Sequence, residues 1–104
     1  MKIVDVKTIP LGGATHDHGW PGGTDPNVQY NTLLEVTSED GLVGHGSCYT
    51  TRTLVEGALQ LLKEHLLGES ALEPERVSEK HRQSMFWLGR GGSVEHTISG
   101  IDIA

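Results

Sequence analysis

Apolar and polar positions alternate through the first half of the chain and recur at helical spacing through the second. Residues 3–11 read as a strand, with Val4 and Val6 opposite Asp5 and Lys7. Pro10 and the pair Gly12-Gly13 are expected to end it. Gln29 to Thr37 alternates again, with Tyr30, Thr32, Leu34 and Val36 on one face and Asn31, Leu33, Glu35 and Thr37 on the other. Asp40-Gly41 is a hairpin signal, because glycine accepts the positive φ that tight turns require. Leu42 to Tyr49 returns as a third strand. Its alternating Gly44 and Gly46 suggest that another backbone packs closely there. These segments predict a three-stranded antiparallel meander.

The period then changes. Leu54, Ala58, Leu61, Leu62 and Leu66 fall on one face of a helix, read as core or interface. Thr53 and Glu56 have capping-box spacing, and Gly68 suits a helix end. A second helix opens at Pro74, where the missing N–H costs nothing, with the stripe Val77, His81, Ser84, Met85 and Leu88 before Gly89. Ser93 is expected to cap a third helix along Val94, Ile98 and Ile101. The fold class predicted is α+β, a meander followed by helices, with residues 1–104 forming a single domain. The last helix runs to Ile101-Asp102-Ile103-Ala104 without a stop signal, so the helix is expected to continue beyond Ala104.

Between the first two strands lies the most unusual stretch. Residues 12–27 carry five glycines and two prolines around His16, Asp17, His18 and Trp20. Connections in compact domains usually run about 2–6 residues, so a loop of this length tends to be functional or mobile. Glycines allow movement, Trp20 can exclude water, and His16 or His18 can donate hydrogen bonds to a hydroxyl or carboxylate. His16-Asp17-His18 also has metal-ligand chemistry, but it lacks a distant further ligand, and a solvated loop remains an alternative.

Charge and cysteine content narrow the classes. The chain has 14 acidic and 8 basic residues, a net charge of −6, and its bases are scattered, so nucleic acid is not an expected partner. The lone Cys48 excludes an internal disulfide. At a strand end it reads as a small buried apolar residue rather than a nucleophile. Asp5 and Lys7 interrupt any leader-like apolar core, and no stretch approaches the roughly 20 apolar residues of a membrane span. A cytoplasmic setting without membrane contact is the expectation.

The ordered set of motifs resembles the mandelate racemase/muconate lactonizing enzyme group of the enolase superfamily, in its amino-terminal capping domain. The resemblance rests on Met1-Lys2-Ile3-x-Asp5-Val6, on Leu34-Glu35-Val36 followed by Asp40-Gly41 and Gly44, on Gly89-Arg90-Gly91-Gly92, and on Ile98-Ser99-Gly100-Ile101-Asp102-Ile103-Ala104. It covers essentially the whole chain. It implies an enzyme that abstracts the proton α to a carboxylate and stabilises the resulting enediolate on Mg²⁺. A sugar-acid dehydratase is the first choice, with a racemase, epimerase or cycloisomerase next. The acid/base residues and metal ligands of that group sit on a (β/α)8 barrel, which needs roughly 200 or more further residues. No residue of this chain is therefore assigned a catalytic or metal-binding role, and the chain alone is expected to be inactive.

By position, the resemblance gives two loops a substrate-contacting role. One holds His16, Asp17, His18 and Trp20, and the other holds Tyr49 and Thr50. Its further implications are a carboxylic-acid substrate, the chain's own carboxy-terminal barrel as partner, and a homo-oligomer when complete. The sequence departs from the group at Gly44-His45-Gly46-Ser47, where many relatives carry an acidic residue after the second glycine. The rival from another class is a free-standing α+β binding module whose surface is the long loop.

Overall fold

The computed structural model describes residues 1–14, 28–89 and 91–104. Three strands, β1 (Ile3–Ala14), β2 (Val28–Ser38) and β3 (Val43–Cys48), form an antiparallel sheet in the order β1-β2-β3. Three helices follow, α1 (Arg52–Leu66), α2 (Pro74–Ser84) and α3 (Gly92–Ile103), with a short 3-10 turn at Phe86–Leu88. The fold is α+β, and the described residues contain no barrel.

The predicted meander is present, with two corrections in β1. The strand does not end at Pro10 or Gly12-Gly13 but continues to Ala14, pairing Pro10 with Thr32 and Gly13 with Gln29. As an edge strand, β1 tolerates a residue with no N–H to donate. Val4 does not share Val6's inward face and is exposed, because the register shifts between Ile3 and Asp5. That irregularity turns both Ile3 and Val6 into the core.

The hairpin between β2 and β3 forms as the sequence indicates. Gly41 donates its N–H to Ser38 O at 3.0 Å and adopts a φ of 83°. Along β2, Thr32, Leu34 and Val36 point inward, as their alternation predicts.

In α1 the buried residues are Val55, Ala58, Leu59, Leu62 and Leu66, while Leu54 and Leu61 lie outside. The predicted stripe was rotated by about one residue. Leucines occupy several sides of this helix, so sequence spacing alone does not fix which side meets the sheet. The capping box is also absent. The helix begins at Arg52, its N-cap Thr51 makes no side-chain cap bond, and Glu56 instead accepts a hydrogen bond from Thr8 Oγ1. Gly68 follows the helix end at a φ of 87°, as expected.

Pro74 opens α2, and Val77, His81 and Met85 are buried as predicted. Leu88 is exposed, because the chain tightens into the 3-10 turn after Met85 and the stripe loses its phase. Ser93 does not cap α3. The N-cap is Gly91, and Ser93 lies within the first turn, its carbonyl accepting from Thr97 Oγ1 at 2.7 Å.

One core joins the layers: Val6, Leu34 and Val36 from the sheet, Leu59 and Leu62 from α1, Val77 from α2, and Ile98 and Ile101 from α3. α3 lies directly on β3. A Cβ on Gly44 would collide with the Ala104 carbonyl, and one on Gly46 with the Gly100 carbonyl. The close backbone approach inferred from these alternating glycines is thus real. At the far end, Ile3 N–H donates to Glu69 O at 2.9 Å and Gly68 N–H to Ile3 O at 2.8 Å, tying the start of β1 to the α1–α2 connection.

Candidate functional site

Antiparallel pairing brings both candidate loops to one end of the sheet. The chain leaves β1 at Ala14 and re-enters β2 at Val28, and these two residues pair with each other. β3 runs back toward that same end, with Cys48 opposite Thr32. Four residues separate Thr32 from Val28, about 13 Å of extended strand. His16, Asp17, His18 and Trp20 lie outside the described residues.

The turn from β3 into α1 is held from within. Thr32, fully buried, donates its Oγ1 to the Thr50 carbonyl at 2.8 Å. Thr50 N–H in turn donates to Cys48 O at 2.8 Å. Tyr49 is exposed, whereas the Thr50 side chain is buried and its hydroxyl has no partner among the described residues. Of the two sequence-predicted residues on this turn, Tyr49 therefore faces solvent and Thr50 faces the interior.

Cys48 is a buried free cysteine. Burial pushes its thiol up to about 11, against the opposing effect of a backbone hydrogen bond from Gly100. Its Sγ donates to the His96 carbonyl at 3.2 Å. A thiol held protonated in this way is a poor nucleophile, which agrees with its reading as a packing residue.

Beyond Thr32, β1 and β2 continue as a two-stranded arm. A recess of about 190 Å³ on it is lined by Leu11, Gly12, Gly13, Ala14 and Asn31. Asn31 Oδ1 is buried there without a hydrogen-bond partner among the described residues. Sequence reasoning passed over Asn31. Its only signal was a polar residue opposite Leu11 on the sheet face away from the helices. On that same face His45 Nε2 lies 3.2 Å from Glu35 Oε2.

Among the described residues no three His, Cys, Asp or Glu side chains are grouped so as to hold a metal ion. Nor is any described helix long and apolar enough to cross a membrane.

The fold is shared with solved structures of the enolase superfamily. A member of that superfamily from Agrobacterium tumefaciens matches with a TM-score of 0.84 at 22% identity, over 99% of this chain and 32% of its own. L-talarate/galactarate dehydratase from Salmonella typhimurium LT2, liganded with Mg and L-lyxarohydroxamate, matches with a TM-score of 0.77 at 23% identity, over 99% of this chain and 29% of its own. The 3,6-anhydro-D-galactonate cycloisomerase from Zobellia galactanivorans matches with a TM-score of 0.81 at 19% identity, over 100% of this chain and 27% of its own. The chain thus spans about a third of the length of these proteins. No protein-family profile matches it.

Proposed function

We propose that residues 1–104 are the capping domain of a Mg²⁺-dependent enolase-superfamily enzyme that removes the proton α to a carboxylate. The observation that carries this reading is the agreement of the whole described fold with proteins of that superfamily, each about three times as long. In this reading the Mg²⁺ and the acid/base residues belong to a barrel outside these 104 residues. This domain's part is to close over the barrel mouth and contact the substrate.

The loop with His16, Asp17, His18 and Trp20 then acts as a lid. In this reading the β3–α1 turn with Tyr49 and Thr50 works with it, since β3 runs toward the sheet end where Ala14 and Val28 pair. Closing such a lid excludes water and strengthens every charge interaction beneath it. Its imidazoles suit the hydroxyls of a polyhydroxylated acid, which favours a sugar-acid dehydratase. A cycloisomerase or racemase is the second reading, supported by the fold match to the Zobellia cycloisomerase. In this reading the complete enzyme is a cytoplasmic homo-oligomer.

The test uses the complete polypeptide from the source gene. Incubated in D₂O with Mg²⁺ and a panel of aldonic and aldaric acids, it should exchange the α-proton of at least one acid, with or without net dehydration. Absence of exchange and turnover across the panel would overturn the proposal. In the same enzyme, Trp20→Ala should raise KM or lower kcat/KM while leaving the fold unchanged, and unaltered kinetics would remove the lid role.

A further inference from the structure

The chain reversal between α2 and α3 stands at the end of the domain toward which β3 runs. Two contacts set α2 antiparallel to α3: Arg82 Nε donates to Glu95 Oε1 at 3.0 Å, and Ser78 Oγ donates to Asp102 Oδ1 at 2.8 Å. The bond from Cys48 Sγ to the His96 carbonyl places the start of α3 against the last residue of β3. β3 and α2 therefore run toward this end and α3 runs away from it, with Phe86–Leu88 in the reversal. That reversal is apolar and uncovered. Trp87 is 91% exposed, Phe86 47% and Leu88 55%. The two rings meet edge to face with centroids 5.2 Å apart, which holds them as one knob. Beside it lies a recess of about 430 Å³ whose lining includes Met85, Phe86, Gly89 and Ile98. Tyr49, next in the chain after Cys48, is also exposed at this end.

We propose that Phe86, Trp87 and Leu88 seat this domain on the barrel of the complete polypeptide, a third contact in addition to the two candidate loops. The proposal rests on the capping reading above. Shape calls for a protein surface as the occupant. Three consecutive side chains turned outward by a tight turn form a convex knob, which a concave surface encloses and a small ligand does not. Exposed apolar clusters of this kind mark interaction sites, and an enclosed tryptophan is a common anchor of them. Position then selects the barrel. In the capping reading the end that carries both loops faces the barrel mouth, so a second copy bound there would stand between the loops and the substrate. The matching superfamily proteins are about three times as long as this chain, and the additional length is where the receiving surface lies. That surface is an apolar hollow without unpaired charge.

Hydroxyl-radical footprinting read by mass spectrometry compares the 104-residue chain with the complete polypeptide. Trp87 should oxidise rapidly in the chain and about tenfold more slowly in the complete polypeptide, as an enclosed anchor would. A photo-reactive p-benzoylphenylalanine at position 87 then identifies what covers it. Irradiation of the complete polypeptide should give cross-links within one chain, to peptides beyond residue 104. If that variant does not fold, position 88 serves under the same criterion. A Trp87 equally reactive in both forms overturns the proposal, as do cross-links that join two chains. The result is separable from the proposed reaction. Exchange of the α-proton with Trp87 unprotected overturns this contact alone, whereas a Trp87 protected by its own barrel without exchange overturns the reaction and leaves the contact standing.

Discussion

Gly100 of α3 packs against Cys48 of β3 so closely that a Cβ on Gly100 would come within 2.5 Å of Cys48 Sγ and 2.7 Å of Leu34 Cδ1. Facing it, Gly46 leaves no room for a Cβ beneath the Gly100 carbonyl. The pair of glycines sets the distance at which α3 sits on the sheet. Gly100→Val should therefore destabilise the domain by about 1–3 kcal/mol or more through overpacking, read as a lower urea midpoint. Gly57→Ala supplies the contrast. It lies in the helical interior of α1 with open space around it, and should stabilise the domain by up to about 1 kcal/mol.

How far the fold could be read from the chain is clearest at these positions. Gly44 and Gly46 suggested a closely packed backbone, since alternate strand residues without side chains leave room for one, and α3 is that backbone. The β2–β3 hairpin was equally legible, since Asp40-Gly41 and a period of two act within a few residues of each other. The phase of α1 was not legible, because Leu54 and Leu61 fit a helical stripe as well as Leu59 and Leu62 do, and only packing separates them. Val4 was misplaced for a related reason: the irregularity between Ile3 and Asp5 is set by pairing with β2, which local alternation does not encode. At the candidate site, both loops were named from chain order and resemblance, and residues 15–27 of the first lie outside the described residues. Local pattern gave no sign of the Thr32–Thr50 bond, which joins residues 18 positions apart, or of an Asn31 Oδ1 buried without a partner among the described residues.

His81 makes stability depend on pH. It is fully buried with neither ring nitrogen hydrogen-bonded among the described residues. Burial first, then the nearby charges of His65 and Lys80, depress it to about 4, with Glu69 opposing. A histidine depressed in the folded state binds its proton more readily when unfolded. Its stabilising effect is complete above about pH 6.5, declines as the pH falls toward 4, and levels off below that. The full change is about 3 kcal/mol. Urea midpoints measured from pH 7 to pH 4 should fall accordingly, and His81→Phe should flatten the curve. An unchanged slope in that variant would show that other groups cause it.

Glu69 produces a second acid transition in a lower window. Its carboxylate accepts from Lys80 Nζ at 2.5 Å and from Arg76 Nη2 at 2.6 Å, and these bonds hold its pKa below the ordinary value. A depressed carboxylate contributes stability above its unfolded pKa and loses it as pH falls through the folded one. Glu69→Gln should therefore lower stability at pH 7 and remove the loss that begins below about pH 4.5. The decline above that pH belongs to His81 and should remain. Added salt should weaken the wild-type protein and leave Glu69→Gln less affected, since Lys80 then loses this partner and Arg76 keeps only Glu73.

Thr32 and Thr50 should respond in opposite directions to the same change. Thr32→Val preserves shape but removes the buried bond from Oγ1 to the Thr50 carbonyl, and should cost about 1–3 kcal/mol because the carbonyl stays buried. Thr50→Val replaces a buried hydroxyl that has no partner among the described residues. It should be neutral or stabilising by about 1 kcal/mol. Thermal melts of the two variants separate the roles directly. In the complete enzyme of the proposed function, Thr32→Val should also raise KM, because the turn presenting Tyr49 would lose its anchor to β2. If Thr50→Val destabilised the domain as much as Thr32→Val, the Thr50 hydroxyl would have a partner in solution. The turn would then be held by its side chain as well as by its backbone.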